Sequence, residues 1–127
     1  MTLLGIGNDI VEIGRMRAVF AKYPHRFLKR VFTPLEQKYC LEHQDPIPHL
    51  AGRFAAKEAV VKALGVGFSQ GLTWLDIEIQ RQTDGRPTVC LSPSTAELFR
   101  HPLVLISISH CREYATAVAT WVAPSGT

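Results

Sequence analysis

An α+β fold is what this chain predicts, and three observations predict it. A β-rich segment holding two glycines opens the sequence, a long helix-spaced apolar run closed by Gly65 fills its middle, and apolar residues alternate around an Asp-Gly turn in its second half. The expected architecture is a single domain over residues 1–127: an N-terminal strand, three helices, then a mostly antiparallel sheet broken by one helix.

Leu3 to Ile10 reads as a strand that delivers Asp9 at its end, with Gly5 and Gly7 allowing close backbone approach. Glu12 to Tyr23 carries Ile13, Met16, Val19 and Phe20 at helical spacing and is stopped by Pro24. A short basic stretch, HRFLKRVF, follows. Thr33-Pro34-Leu35-Glu36 is a capping box with proline at the first helical position, so a helix runs from it towards His43. DPIP at 45–48 is a turn, and a helix from about His49 to Leu64 ends at Gly65. Leu72 to Arg81 alternates apolar residues and reads as a strand. Thr83-Asp84-Gly85-Arg86 turns it back into a partner strand, Pro87 to Leu91. Ser92-Pro93 caps a short helix through about Phe99. Val104 to Ser109 and Tyr114 to Val122 form a second antiparallel pair, and Pro124 to Thr127 is a frayed tail.

With 46% hydrophobic and 20% charged residues, the chain has the composition of a globular protein rather than a disordered one. A net charge of +3 suits anionic small molecules or an acidic partner protein and is too mild to argue for nucleic acid. Cys40, Cys90 and Cys111 are odd in number and lack CxxC spacing, which disfavours a disulfide framework and a zinc site and fits a reducing cytosol. The N-terminal residues meet Asp9 too early for a signal peptide, and no apolar run approaches a membrane span. The expected location is cytoplasmic.

The chemistry concentrates in RFAAKEAVVK at 53–62, where Arg53, Lys57, Glu58 and Lys62 interrupt an apolar helix. Charged groups in such surroundings need ion partners, a metal or a charged ligand. A carboxylate among three cations suits a metal with phosphates, while a structural bridge from Glu58 to Lys62, four residues on, is the plainer alternative. Asp9 is the second candidate acid, because magnesium takes one or two carboxylates and leaves its other positions to water and phosphate oxygens. The glycine-rich loop Gly65–Gly71 is a helix stop that also permits backbone approach to a phosphate, though it matches neither the Walker nor the dinucleotide fingerprint. Ser107, Ser109 and His110 lack the elbow of a serine hydrolase, so His110 reads as a strand-end polar residue or a phosphate contact. Arg15, Arg17, Lys22, Arg26, Lys29 and Arg30, with Met16, Phe20 and Phe27 among them, describe either a solvated helix face or a surface for an acidic partner helix.

GIGNDIVEI at 5–13, LAGRFAAKEAVVKALGVG at 50–67, DIEI at 76–79, the DGRP turn at 84–87, and VLISISH with EYATAVA at 104–119 together resemble the holo-(acyl-carrier-protein) synthases, the small bacterial type of 4′-phosphopantetheinyl transferase. The resemblance covers the chain in order and implies the phosphopantetheinyl transferase fold. It implies a magnesium-dependent transferase that moves the 4′-phosphopantetheine arm of coenzyme A to a serine of apo-acyl carrier protein. The co-product is adenosine 3′,5′-bisphosphate, and the pathway fatty acid biosynthesis. Asp9 and Glu58 are implied as magnesium ligands, and Lys62 as the residue at the diphosphate. Arg53, Gly65, Gly67 and His110 are implied around the coenzyme A nucleotide, and Arg15, Arg26 and Arg30 as the carrier-protein dock. The family's habit implies a homotrimer with active sites between subunits. Two rivals belong to other classes: a coenzyme A-binding module, which would not need the Asp9–Glu58 pair, and an interaction domain presenting its basic first helix.

Overall fold

The computed structural model describes residues 2–67 and 71–123. Strand β1 (Leu3–Glu12) leads into helices α1 (Ile13–Lys22), α2 (Pro24–Val31), α3 (Pro34–Leu41) and α4 (Ile47–Leu64). A 3₁₀ turn (Trp74–Asp76) precedes the hairpin of β2 (Ile77–Arg81) and β3 (Pro87–Leu91). Helix α5 (Pro93–Leu98) then leads to β4 (Leu103–His110) and β5 (Tyr114–Val122). The long sheet has β5 at its centre with β1 and β4 antiparallel on either side, and β2–β3 form a separate antiparallel pair.

The α+β expectation holds, with four local corrections. Asp9 lies inside β1 rather than at its end, because the strand continues to Glu12 along β5. The basic stretch is itself a helix, α2, so among the described residues four α-helices rather than three lie between β1 and the hairpin. Pro24 both ends α1 and occupies the first turn of α2, where its missing N–H costs nothing. Helix α4 begins at Ile47, inside the expected turn. Trp74 and Leu75 sit in the 3₁₀ turn, which Thr73 and Asp76 close as a reciprocal capping box, so only Ile77–Arg81 is strand. Residues 68–70 of the expected glycine-rich loop and the expected tail at 124–127 lie outside the described residues.

Helix α4 is the axis of the molecule. It crosses β1 so closely that a Cβ on Gly5 would stand 1.9 Å from the Ala63 carbonyl oxygen, and one on Gly7 would stand 2.1 Å from that of Ala59. Ala115, Ala117 and Ala119 of β5 are buried on the same inner face, and small residues on helix and sheet let the two layers approach. Val60, Val61, Leu64, Ile77 and Ile79 fill the core between α4, the sheet and the hairpin. Ile13, Met16, Leu28, Phe32 and Leu50 fill a second core beneath α1–α3.

Among the described residues, one ion pair is wholly buried. Lys57 Nζ stands 2.6 Å from Glu36 Oε1 and also donates to the carbonyls of Val31 at 2.6 Å and Trp74 at 3.0 Å. Three acceptors match the three N–H bonds of an ammonium, which is how the charge is tolerated without water. Burial pulls the Lys57 pKa down, while Glu36 works in the opposite direction. Glu36 also accepts from the backbone N–H of Thr33 at 2.9 Å and of Ile79 at 2.7 Å. The pair therefore ties α3, α4, the end of α2, the 3₁₀ turn and β2 together. Lys57 belongs to this structural knot, not to a phosphate site.

Candidate active site

Side chains alternate across a strand, so the residues of β1 that share a face with Gly5 and Gly7 point at α4. Asp9 is one of them, paired in register with Ala117 of β5. Glu58 comes from the facing side of α4. The two carboxylates line one cavity of about 330 Å³, which Ile10, Val11, Glu12, Arg15, Phe54 and Tyr114 also line. Burial raises the Glu58 pKa above the ordinary glutamate range, Asp9 adds to the rise, and Lys62 opposes it.

Lys62 does not bridge to Glu58. Its ammonium instead reaches across to β1, 2.9 Å from the Asn8 carbonyl and 3.2 Å from Asp9 Oδ1. The plain alternative of an intrahelical bridge is thus replaced by one between helix and strand, and it is half open to solvent on the lysine side. Asp9, Glu58 and Lys62 are brought together as one constellation.

Arg53 and His110 occupy a different cavity, of about 290 Å³, with Tyr39, His49, Gly52, Arg81 and Gly85 also on its walls. The Arg53 guanidinium lies 4.0 Å above the centre of the Tyr39 ring. Arg53 is only 7% exposed, yet among the described residues its Nε is buried without a hydrogen-bond partner. An unsatisfied buried donor on a cation, in a cavity with a second arginine, is an anion-binding arrangement.

Gly65 and Gly67 stand at the opposite end of α4. Gly65 takes φ 76°, a left-handed conformation that closes the helix. Twelve residues of helical rise separate Arg53 from Gly65, roughly 18 Å at 1.5 Å per residue. One chain therefore does not gather Arg53, His110, Gly65 and Gly67 in a single cavity.

Arg15, Arg26 and Arg30 are exposed on α1 and α2, with Arg15 also at the edge of the acidic cavity. Met16 is buried and Phe20 and Phe27 are partly buried against the second core, so they hold the basic helices to the body rather than standing free as anchors. Arg17 is not free for a partner either: it makes a two-pronged bond to Asp45 at 3.0 and 2.8 Å. The cysteines are all free, and burial pushes the Cys40 thiol up to about 11, which leaves it unreactive.

Sequence reasoning missed the partner of Lys57 and the histidines around His110. The ring centres of His43 and His49 are 3.6 Å apart and nearly parallel, and His49 meets His110 edge-on at 5.8 Å. The i, i+4 spacing of His49 and Arg53 on α4 was the available signal for a shared face.

Comparison with known proteins follows the same lines. A profile of the 4′-phosphopantetheinyl transferase superfamily matches residues 5–119. The chain is 63% identical over 118 residues to a holo-[acyl-carrier-protein] synthase of Protochlamydia amoebophila, covering 93% of this chain and 97% of that one. It is 50% identical over 119 residues to the Chlamydia pneumoniae synthase, covering 94% of this chain and 97% of the relative. The crystal structure of the Helicobacter pylori synthase in complex with coenzyme A superposes with a TM-score of 0.84 at 35% identity, over 92% of this chain and 99% of that one. The Neisseria meningitidis synthase superposes with a TM-score of 0.89 at 29% identity, over 96% of this chain and 100% of the other. With its strand order, its helix α4 and its matched length, the chain belongs to the 4′-phosphopantetheinyl transferase superfamily, among the holo-[acyl-carrier-protein] synthases.

Proposed function

We propose that this chain is a holo-[acyl-carrier-protein] synthase: it transfers the 4′-phosphopantetheine arm of coenzyme A to a serine hydroxyl of apo-acyl carrier protein and releases adenosine 3′,5′-bisphosphate, in the service of fatty acid biosynthesis. The observation that carries the reading is the convergence of Asp9, Glu58 and Lys62 at the crossing of β1 and α4. A non-catalytic coenzyme A-binding module has no use for Asp9 and Glu58 facing one cavity.

The donor set fits a hard divalent cation, because the repulsion between Asp9 and half-buried Glu58 is what a cation between them would relieve. These two residues would hold magnesium, which when bound supplies charge stabilisation at the diphosphate. Lys62 adds a positive charge beside the same bond, and its contacts with the Asn8 carbonyl and Asp9 hold the ammonium at the helix–strand crossing. Phosphoryl transfer draws mainly on positioning and charge, so a rigid helix–strand crossing is an apt support. Arg53 and His110 offer donors to the nucleotide's phosphate.

The separation of Gly65 and Gly67 from Arg53 supports an active site completed by a second copy. The outer face of the long sheet supports it too: Ile6, Ile10, Leu105 and Val118 are exposed there, away from α4. A homotrimer with sites between subunits accounts for both. The exposed Arg15, Arg26 and Arg30 form the dock for the acidic carrier protein. One domain and a cytoplasmic location complete the reading; among the described residues no helix is long and apolar enough to cross a membrane.

Mass spectrometry of apo-carrier protein incubated with coenzyme A and magnesium, with and without chelator, tests the reading. A gain of the arm's mass that chelator abolishes is the expected result. An unmodified carrier that still binds would leave only an interaction domain, and bound coenzyme A without transfer would leave only a binding module.

A further inference from the structure

The cavity under Arg53 holds more titratable groups than anion binding requires. His49, on the first turn of α4, faces His43 from the segment after α3, His110 from the end of β4, Arg81 from β2, and Arg53 one turn along its own helix. Tyr39 of α3 presents its ring edge to His49 at 5.9 Å. The nearby carboxylate, Asp45, feels His49's charge but is already engaged by Arg17. Tyr39 aside, whose phenol is neutral near pH 7, the other ionisable groups facing His49 are cations or become cations. The His43 ring contacts the Tyr39 carbonyl through Nδ1 at 3.0 Å, and a carbonyl only accepts, so Nδ1 carries the hydrogen and the stacked ring is held in place.

Burial lowers the His49 pKa, and the charges of His43, His110, Arg53 and Arg81 lower it further. In the empty cavity the imidazole is therefore neutral around pH 7 and above. A phosphate dianion entering among Arg53, Arg81, His49 and His110 reverses that balance, because an anion within a few ångströms favours the imidazolium. We propose that phosphate binding in this cavity is proton-coupled: His49, stacked on His43 and edge-on to His110, takes up one proton from solvent as the peripheral phosphate of the nucleotide arrives. This rests on the assignment of the coenzyme A nucleotide to the Arg53–His110 cavity and adds its regulation. Discrimination between coenzyme A and its analogue without the ribose phosphate then strengthens as the pH falls from 8 towards 7.

Calorimetry of the whole protein with coenzyme A and with dephospho-coenzyme A, at pH 7.5 in buffers of different ionisation enthalpy, counts the protons. The ligand's own phosphate, with a second pKa of about 6, can only release a small fraction of a proton on binding as the dianion, opposite in sign to the uptake expected. Coenzyme A should take up at least about half a proton more than dephospho-coenzyme A, given the strength of an adjacent dianion on an imidazole. His49→Phe, which keeps a ring on the stack, and His49→Gln, which keeps a polar group, should both remove that difference while coenzyme A stays the preferred ligand. Equal proton counts for the two ligands in the parent, or full uptake surviving in both variants, would overturn the proton coupling alone. Equal affinities of the parent for the two ligands at every pH would instead overturn the placement of the nucleotide, and the coupling with it.

Discussion

Lys62 Nζ lies 3.2 Å from Asp9 Oδ1, while Glu58, one turn earlier on the same face of α4, makes no ion pair among the described residues. Of these two acids, Asp9 has a cationic partner and Glu58 has none among the described residues. That asymmetry governs how their substitutions should behave.

Glu58→Gln should abolish most transfer, by at least the ~10²–10³ in rate that removal of one key electrostatic stabiliser typically costs, yet stabilise the metal-free fold. The Glu58 pKa is raised in the folded chain, by burial first and then by Asp9. The folded state therefore favours the protonated acid, and the parent loses stability as pH rises through and above the ordinary glutamate range. The Gln variant should lack that loss. Urea midpoints of the chelated proteins at pH 4 and pH 8 check it: the variant should gain over the parent at pH 8 and not at pH 4. Asp9→Asn should lose activity similarly without gaining stability, since it also frees Lys62.

Breaking the buried pair should be expensive. Lys57→Met leaves Glu36 buried without its cation, and Glu36→Gln leaves Lys57 without its anion, each costing about 3–5 kcal/mol. Replacing both by apolar residues of similar volume should recover part of the loss. Denaturant unfolding of the single and double variants gives the comparison, and additive losses would show that the pair is not coupled.

Gly7→Ala should fail to fold at ordinary temperatures, because its Cβ would meet the Ala59 carbonyl oxygen and two further atoms of α4 under 3 Å. Gly14→Ala is the control. It has open space around its Cβ and lies in α1, so it should be neutral or gain up to about 1 kcal/mol. Thermal melts of both variants distinguish a steric role from a general intolerance of alanine.

Charge reversal at Arg15, Arg26 or Arg30 should raise the Michaelis constant for the carrier protein several-fold and leave that for coenzyme A almost unchanged. The three side chains are exposed, so the fold should not notice. Raising salt from 0.05 to 0.5 M should weaken the parent towards the variants, as the field is screened. Steady-state kinetics with each substrate varied separately is the measurement. Equal effects on both substrates would return these residues to an ordinary solvated surface.

Much of this was legible in the chain before its coordinates. The capping box at Thr33–Glu36, the Asp-Gly turn and the Gly65 stop are local signals, and each stands where the residues put it. Asp9, Glu58 and Lys62 were legible as candidates because charged residues amid apolar ones ask for a reason. Their meeting was legible only as far as the glycines of β1 announced a close crossing. Helix α2 was hidden because Pro24 serves as both stop and start. The 3₁₀ turn was hidden by alternation of Leu72, Trp74 and Ile77, although Thr73 and Asp76 repeat the spacing of the box at Thr33. The partner of Lys57 could not be read at all: Glu36 is a competent capping residue by itself, and nothing local says that its second duty lies on another helix.

The crossing at Gly5 and Gly7 also acts on folding. A slip of β1 by two residues against α4 would carry the Asp9 or Gly5 position to the place where Gly7 now passes Ala59, and in one direction a side chain would strike a carbonyl oxygen. The slip that brings Asp9 there is thus rejected by collision before any ligand arrives. The placing of Asp9 opposite Glu58 is a property of the backbone, set at the moment the strand docks against α4 rather than by anything that binds there later.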